Sequence, residues 1–199
     1  MKIENLSDPF HHSIIYDFYN DEEEKLIWQE LEFLNKPGKM LSPKETGDYH
    51  GSSPNKTGIF LDQLYGENRQ FSNILTLNRK IYKIQKLLYD NPFSRYLEIV
   101  DKDMTMISYY ENESFYKKHY DCYTISAVTT FWKKPKLFTG GELKFSTYDY
   151  TPKMDHNTMV LFPSYEKHEV TEIQLEKNDG INGRYTINQF YSITAGSKS

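Results

Sequence analysis

The chain has 199 residues, 38% of them hydrophobic and 26% charged, with a net charge of −4. That length suits one domain with a sizeable core, and the acidic balance argues against a generic nucleic-acid binder. One cysteine, Cys122, excludes an internal disulfide framework and a multi-cysteine zinc site, and is expected as a small buried hydrophobe.

Tyrosine stands out at 17 residues, beside 12 phenylalanines, a composition that suits half-buried strands and a lined pocket. No apolar run resembles a signal peptide or approaches membrane-spanning length, so the expectation is a soluble, cytoplasmic protein without a membrane partner.

In chain order, His12 to Tyr19 reads as an extended edge segment. Asn20 or Asp21 then caps a helix whose first turn is acidic, from Asp21 to Glu24. Ile27, Leu31 and Leu34 recur at helical spacing, and Asn35-Lys36-Pro37-Gly38 stops the run. Residues 41–58 are rich in Ser, Pro, Gly, Asn and Lys and predict an exposed loop, a candidate lid.

A second helix is expected from about Gln70 to Tyr89, with Phe71, Ile74, Ile81, Ile84 and Leu88 as its apolar stripe. Beyond residue 95 the period shifts toward two. Strands are expected at Met104–Tyr110, Thr124–Trp132, Glu142–Phe145, Thr158–Phe162, His168–Ile173 and Arg184–Tyr191. Gly140-Gly141 and Asn178-Asp179-Gly180 supply turns. Helices followed by short strands predict an α+β fold, a double-sheet jelly roll with N-terminal helices packed on one sheet.

The chemistry gathers around His119-Tyr120-Asp121. Residues two apart on a strand share a face, so this imidazole and carboxylate can hold one metal. His168, at the start of a later strand, is the natural third ligand. Two histidines and one carboxylate with open positions opposite is the geometry of non-haem iron(II) oxygenases. A guanidinium and a hydroxyl, Arg184 and Thr186, share one strand face and can grip a carboxylate together. Lys117, Lys118, Lys133, Lys134 and Lys136 cluster near these residues, either as a solvated face or as a cationic rim for acidic substrates.

Residues from about Ile107 to Tyr191 resemble the 2-oxoglutarate/Fe(II) dioxygenase family, in its prolyl 4-hydroxylase-like branch. The run from Tyr110 through Tyr116 to His119-Tyr120-Asp121 carries the likeness. So do Gly140-Gly141-Glu142, the segment Val160-Leu-Phe-Pro-Ser164 leading to His168, and Gly183-Arg184-Tyr185. The resemblance implies that His119, Asp121 and His168 bind Fe(II). It implies that Arg184, Thr186 and Tyr110 hold 2-oxoglutarate, with O2 as second co-substrate and ascorbate a candidate reductant. Residues 1–199 would form one oxygenase domain, with a helical flank and lid loop over 1–100 and the jelly-roll core over 101–195.

The implied reaction is oxidative decarboxylation of 2-oxoglutarate coupled to hydroxylation of a protein or peptide side chain, proline first. Tyr116 and Trp132 are candidate aromatic walls for that substrate. A free amino acid or other small molecule is the alternative substrate, and a non-catalytic jelly-roll binding module the alternative of another class. Three departures bear on proline: a longer interval from His168 to Arg184 through an enlarged Leu175–Asn182 turn, Thr124 where many peptide-prolyl members carry arginine, and almost no loop after Asp121. No second arginine follows in Tyr185–Tyr191, unlike the nucleic-acid demethylases, so no nucleic-acid partner is expected; an intact Asp121 disfavours a halogenase.

Overall fold

Asn20 starts the first helix through a reciprocal cap. Its side chain accepts the Glu22 and Glu23 amides, while the Glu23 carboxylate accepts the Asn20 N–H. The computed structural model describes residues 1–46, 51–177 and 179–194. Ahead of the helix lie strands β1 (Lys2–Leu6) and β2 (His12–Tyr16), paired antiparallel. Helix α1 spans Asp21–Leu34 and fully buries Ile27, Leu31 and Leu34, each worth roughly 1.5–3 kcal/mol of transfer from water.

After β3 (Lys56–Phe60) come the short helices α2 (Leu61–Tyr65), α3 (Asn73–Asn78) and α4 (Lys80–Ile84), joined and followed by 3-10 turns. Then follow β4 (Lys102–Tyr110), β5 (Tyr116–His119), β6 (Ile125–Phe131), β7 (Phe138–Gly140) and β8 (Leu143–Phe145). The chain finishes with β9 (Thr158–Pro163), β10 (His168–Val170), β11 (Ile173–Leu175) and β12 (Arg184–Ser192).

These strands build a double-stranded β-helix, the jelly roll expected from the sequence. The major sheet has the order β1-β2-β9-β6-β12-β4-β3, and the facing minor sheet the order β5-β10-β8, with β11-β7 as a separate ribbon. Alternation sorts the side chains of the central strands. Ile107, Tyr109, Ala127, Phe131, Leu161, Tyr185 and Ile187 face the helices and join their core. The alternate positions face the jelly-roll interior: Val128, Val160 and Phe162 join one cluster there, Tyr110 and Trp132 another. With both faces covered, β6 and β9 are buried along their whole length, and β6 buries Ser126, Thr129 and Thr130 along with its apolar residues.

Four expectations need correction. The second helix is not continuous: Phe71 is 73% exposed, and the segment is divided into α3, α4 and 3-10 turns. Glu30 of α1 accepts the Ser72 hydroxyl and the Ile74 amide, fixing the start of α3 after residue 71. Asn78 at its end bonds Tyr19 and, on β4, Thr105. Those anchors stop one straight helix and let each short turn present its own apolar pair to the sheet. The loop expected over 41–58 yields its last residues to β3, which pairs with β4, and Leu41 pairs with Gly58. Gly51 and Ser53 bond β5 and its approach through Lys117 and Phe115; residues 47–50 of the candidate lid lie outside the described residues.

The major sheet is also not confined to residues 101–195, because β1, β2 and β3 extend both of its edges. Finally, the strand expected over His168–Ile173 is two: β10 pairs with β5 and β8, and after Val170 the chain crosses to pair β11 with β7. Asn178, part of an expected turn, lies outside the described residues. Among the described residues no helix is long and apolar enough to cross a membrane.

Candidate metal and co-substrate site

A turn carries the chain from Tyr110 at the end of β4 into β5, closed by the Ser114 hydroxyl accepting the Glu111 amide and the Ser114 amide donating to the Glu111 carbonyl. That passage moves the backbone from the major to the minor sheet. It sets His119 directly opposite His168 on β10. Asp121 lies just beyond β5 rather than on it, so strand alternation alone does not aim its carboxylate. Two bonds do: its amide donates to the Ser164 carbonyl at 3.0 Å, and its Oδ2 accepts the Ser126 hydroxyl at 2.5 Å.

One atom from each of His119, Asp121 and His168 falls within 4.8 Å of the others. His119 Nε2 is 3.6 Å from Asp121 Oδ1, and His168 Nε2 is 3.7 Å from Asp121 Oδ2. Both are too long for hydrogen bonds and suit donors that share one ion. Each histidine has its Nδ1 2.8 Å from a backbone carbonyl, Lys117 for His119 and Glu166 for His168. A carbonyl only accepts, so Nδ1 carries the proton and the Nε2 lone pair is left for a metal.

The electrostatics agree with that assignment. Burial raises the Asp121 carboxyl, but His119, His168 and Ser126 outweigh it and hold the group below the usual carboxylate range. Burial, with His119 adding, keeps the His168 imidazole below its ordinary value against the pull of Asp121 and the Glu166 carbonyl. A carboxylate and neutral imidazoles are the protonation states that metal binding requires. The donor set of two imidazoles and one carboxylate therefore fits Fe(II).

The triad borders a cavity of about 390 Å³ that also reaches Tyr110, Tyr116 and Thr186. Arg184, the first residue of β12, pairs in register with Tyr110, its Cζ 5.2 Å from the ring centroid. The residue is 2% exposed, and neither Nη1 nor Nη2 has a hydrogen-bond partner among the described residues. Burial opposes its charge, with Tyr110 and Glu142 offsetting part of the effect. Two unsatisfied buried guanidinium nitrogens are costly, and a carboxylate ligand is an acceptor that would satisfy both. Gly141 permits this packing: it sits at φ +74°, and a Cβ there would lie 3.0 Å from Arg184 Cδ and 2.8 Å from the Ile173 side chain. Asn188, two positions beyond Thr186 on the same face, donates to Thr186 Oγ1 at 3.0 Å and to Ser108 Oγ at 3.3 Å.

The two candidate aromatic walls do not face one another. Tyr116 borders the large cavity, its ring 3.9 Å from that of His119. Trp132 sits beyond the end of β6, against Phe138 and His156, and borders a separate void of about 40 Å³ beside Arg184. Nor do the lysines form one rim. Lys117 and Lys118 are exposed on β5, whereas Lys133 pairs with Glu32 of α1 and Lys136 lies over Trp132 and Phe138. Cys122 is exposed and borders the cavity instead of being buried, because it lies in the turn that follows Asp121. The long turn before Arg184 is docked by Asn35, just past α1, which donates to the Gly180 carbonyl at 2.6 Å.

Sequence reasoning missed Lys56, 4% exposed, which stands opposite Tyr110 on β3 and borders the cavity with Nζ 4.8 Å from the Tyr116 ring centroid. No local pattern marks it. It also missed Asn188, which the alternation from Arg184 and Thr186 would have found.

Fold and donor set together define a class: a jelly roll whose two-histidine, one-carboxylate set fits a non-haem iron(II) ion. Residues 104–192 match the family model of the 2OG-Fe(II) oxygenase superfamily. Members of that superfamily use Fe(II), 2-oxoglutarate and O2, and the two-histidine, one-carboxylate donor set here fits such a metal.

Among solved structures, a Pseudomonas putida prolyl 4-hydroxylase shares 15% identity at a TM-score of 0.58, over 91% of this chain and 92% of that one. The viral collagen prolyl hydroxylase of Paramecium bursaria Chlorella virus 1, in its 2-oxoglutarate complex, shares 14% at 0.55, over 94% and 99%. OsALKBH1 shares 12% at 0.58, over 90% and 97%. At these identities the likeness is one of fold. No curated protein matches the sequence.

Proposed function

We propose that this chain hydroxylates a protein or peptide side chain, proline first, with His119, Asp121 and His168 holding Fe(II) and with Arg184, Thr186 and Tyr110 holding 2-oxoglutarate. The observation that carries the site assignment is the convergence of three ligand atoms within 4.8 Å, with both imidazoles oriented to leave Nε2 for the metal. When bound, Fe(II) supplies the coupling of 2-oxoglutarate decarboxylation, to succinate and CO2, with transfer of one oxygen atom from O2 to a substrate C–H bond.

The protein's part is positional. Arg184, 2% exposed, would offer two parallel donors to the distal carboxylate. Thr186 and Tyr110 border the same cavity as the triad, while Arg184 lines the adjoining void of about 40 Å³ and would reach the co-substrate from there. Tyr116 packs on His119 and restricts its ring.

A peptide substrate is supported by the prolyl hydroxylase-like run from Tyr110 to Asp121, and the pairing of Lys133 with Glu32 and the packing of Lys136 on Trp132 take both lysines out of a common rim with Lys117 and Lys118. Succinate release should rise with proline-containing peptides over matched peptides lacking proline, and the products should gain about 16 Da, one oxygen atom. Stimulation by a free amino acid and by no peptide would replace this substrate with the small-molecule one. Stimulation by oligonucleotides alone would remove the peptide reading altogether.

A further inference from the structure

The two histidine ligands are oriented by backbone carbonyls, but the carboxylate is oriented by side chains. Asp121 Oδ2 takes the Ser126 hydroxyl at 2.5 Å, and Ser126 Oγ lies 2.8 Å from Ser164 Oγ. Both serines are fully buried. A hydroxyl has one proton, and Ser126 has committed its own to Asp121, so Ser164 must be the donor in the second bond. Ser164 holds the same turn by its backbone as well, accepting the Asp121 amide and donating to the Thr124 carbonyl at 3.2 Å.

These serines belong to the major sheet or its end. Ser126 is on β6, in register with Phe162 of β9 and Phe190 of β12, and Ser164 follows β9 directly. The histidines belong to the minor sheet. The carboxylate, seated on neither, is therefore pinned to the major sheet through Ser126.

We propose that Ser126, with Ser164 behind it, is the positioning residue of the metal centre: it occupies Oδ2 and leaves Oδ1, beside His119, as the single oxygen Asp121 offers to the metal. The inference rests on the metal-centre reading above. It makes three predictions that a purely structural role does not. Loss of the Ser126 hydroxyl weakens metal binding, loss of Ser164 weakens it less, and the second loss adds nothing once Ser126 has gone.

The test titrates Mn(II) into metal-free protein in the presence of 2-oxoglutarate, with free Mn(II) followed by electron paramagnetic resonance, so that no turnover is needed. Ser126→Ala is expected to weaken binding by roughly 10- to 100-fold, the range for partners that orient metal ligands. Ser164→Ala should cost a smaller factor, and the double variant should match Ser126→Ala. The visible bands of the Co(II)-loaded protein should change in Ser126→Ala, where the freed carboxylate swings toward two-oxygen binding, and return in Ser126→Thr. Parental Mn(II) affinity and unchanged Co(II) bands in Ser126→Ala would overturn the proposal, as would additive losses in the double variant. Should Ser126→Ala not fold, Ser164→Ala carries the test, and parental affinity there has the same force. A parent protein that binds no Mn(II) would instead overturn the metal-centre reading.

Discussion

His119 and His168 stand opposite one another across the β5–β10 ladder with ring centroids 4.2 Å apart, and each has its Nδ1 2.8 Å from the carbonyl two residues earlier in the chain. The same local device thus sets both tautomers. Because the acceptors are backbone atoms, no side-chain substitution removes them, and the pair is prepared for a metal before one arrives.

Metal stoichiometry follows from that pair. The protein should bind about one Fe(II), or Mn(II) as an inert substitute, per chain, since three donors form one site. His168→Ala should abolish turnover and weaken Mn(II) binding by at least about 100-fold, more than loss of an orienting partner alone. Calorimetric titration of the variant checks this, and an undiminished affinity would place the site elsewhere.

Arg184 separates co-substrate binding from metal binding. It is buried at the start of β12 without a hydrogen-bond partner for Nη1 or Nη2 among the described residues. A buried two-donor ion pair contributes on the order of 2–5 kcal/mol. Arg184→Ala should therefore raise the apparent constant for 2-oxoglutarate by roughly 30-fold or more, with Mn(II) affinity little changed. Arg184→Lys should fall between, because a point charge lacks the fork. Without ligands, Arg184→Met should melt higher than the parent, since it removes a buried charge that Tyr110 and Glu142 offset only in part. Unaltered 2-oxoglutarate affinity in Arg184→Ala would show that another group holds the carboxylate, with Lys56, a buried cation on the cavity wall, the first to test.

Gly141 should behave as a co-substrate residue although it touches no ligand. Its left-handed φ of +74° and its approach to Arg184 Cδ and Ile173 leave no room for a Cβ. Gly141→Ala should cost about 1–3 kcal/mol of stability from backbone strain and raise the 2-oxoglutarate constant by displacing Arg184. Denaturant melts and 2-oxoglutarate titrations read the two effects separately; a stability loss with no change in 2-oxoglutarate affinity would confine its role to folding.

Acid sensitivity should trace in part to His12 on β2, which is not one of the metal ligands. The side chain is fully buried, with Nδ1 2.8 Å from the Phe10 carbonyl and Nε2 2.9 Å from the Tyr150 hydroxyl. Burial holds it below the ordinary 6.5, against the opposing pull of the Phe10 carbonyl. Below that pH the unfolded chain takes up the proton and the native state does not. The unfolded state then binds more protons, and stability falls as pH drops, by up to about 1.4 kcal/mol per pH unit. His12→Gln should flatten that slope between pH 6.5 and the lower folded value, as read from urea melts across the range. A slope unchanged by the substitution would assign the acid sensitivity to other groups.

Much of the site was legible in the chain alone because its parts are local. His119-Tyr120-Asp121 is three consecutive residues, and Arg184 and Thr186 share a strand face by period-two alternation. The α1 cap and its stripe of Ile27, Leu31 and Leu34 were equally readable, since both depend on contacts within one turn or one helix. The jelly roll followed from helices succeeded by short strands.

What only the tertiary structure decided depends on contacts between segments far apart in sequence. Glu30 and Asn78 divide a run that looks like one helix, because their partners lie on other elements. β3 emerges from a polar loop only because β4 offers an edge to pair with. Trp132 is separated from Tyr116 by the end of β6 at which it lies, and Lys56 reaches the cavity from the outermost strand of the sheet. Asp121 is aimed by Ser126 and Ser164, which no spacing rule links to it. Periodicity determines which face a residue takes on its own element; which elements share that face is set by strand pairing and burial across the whole chain.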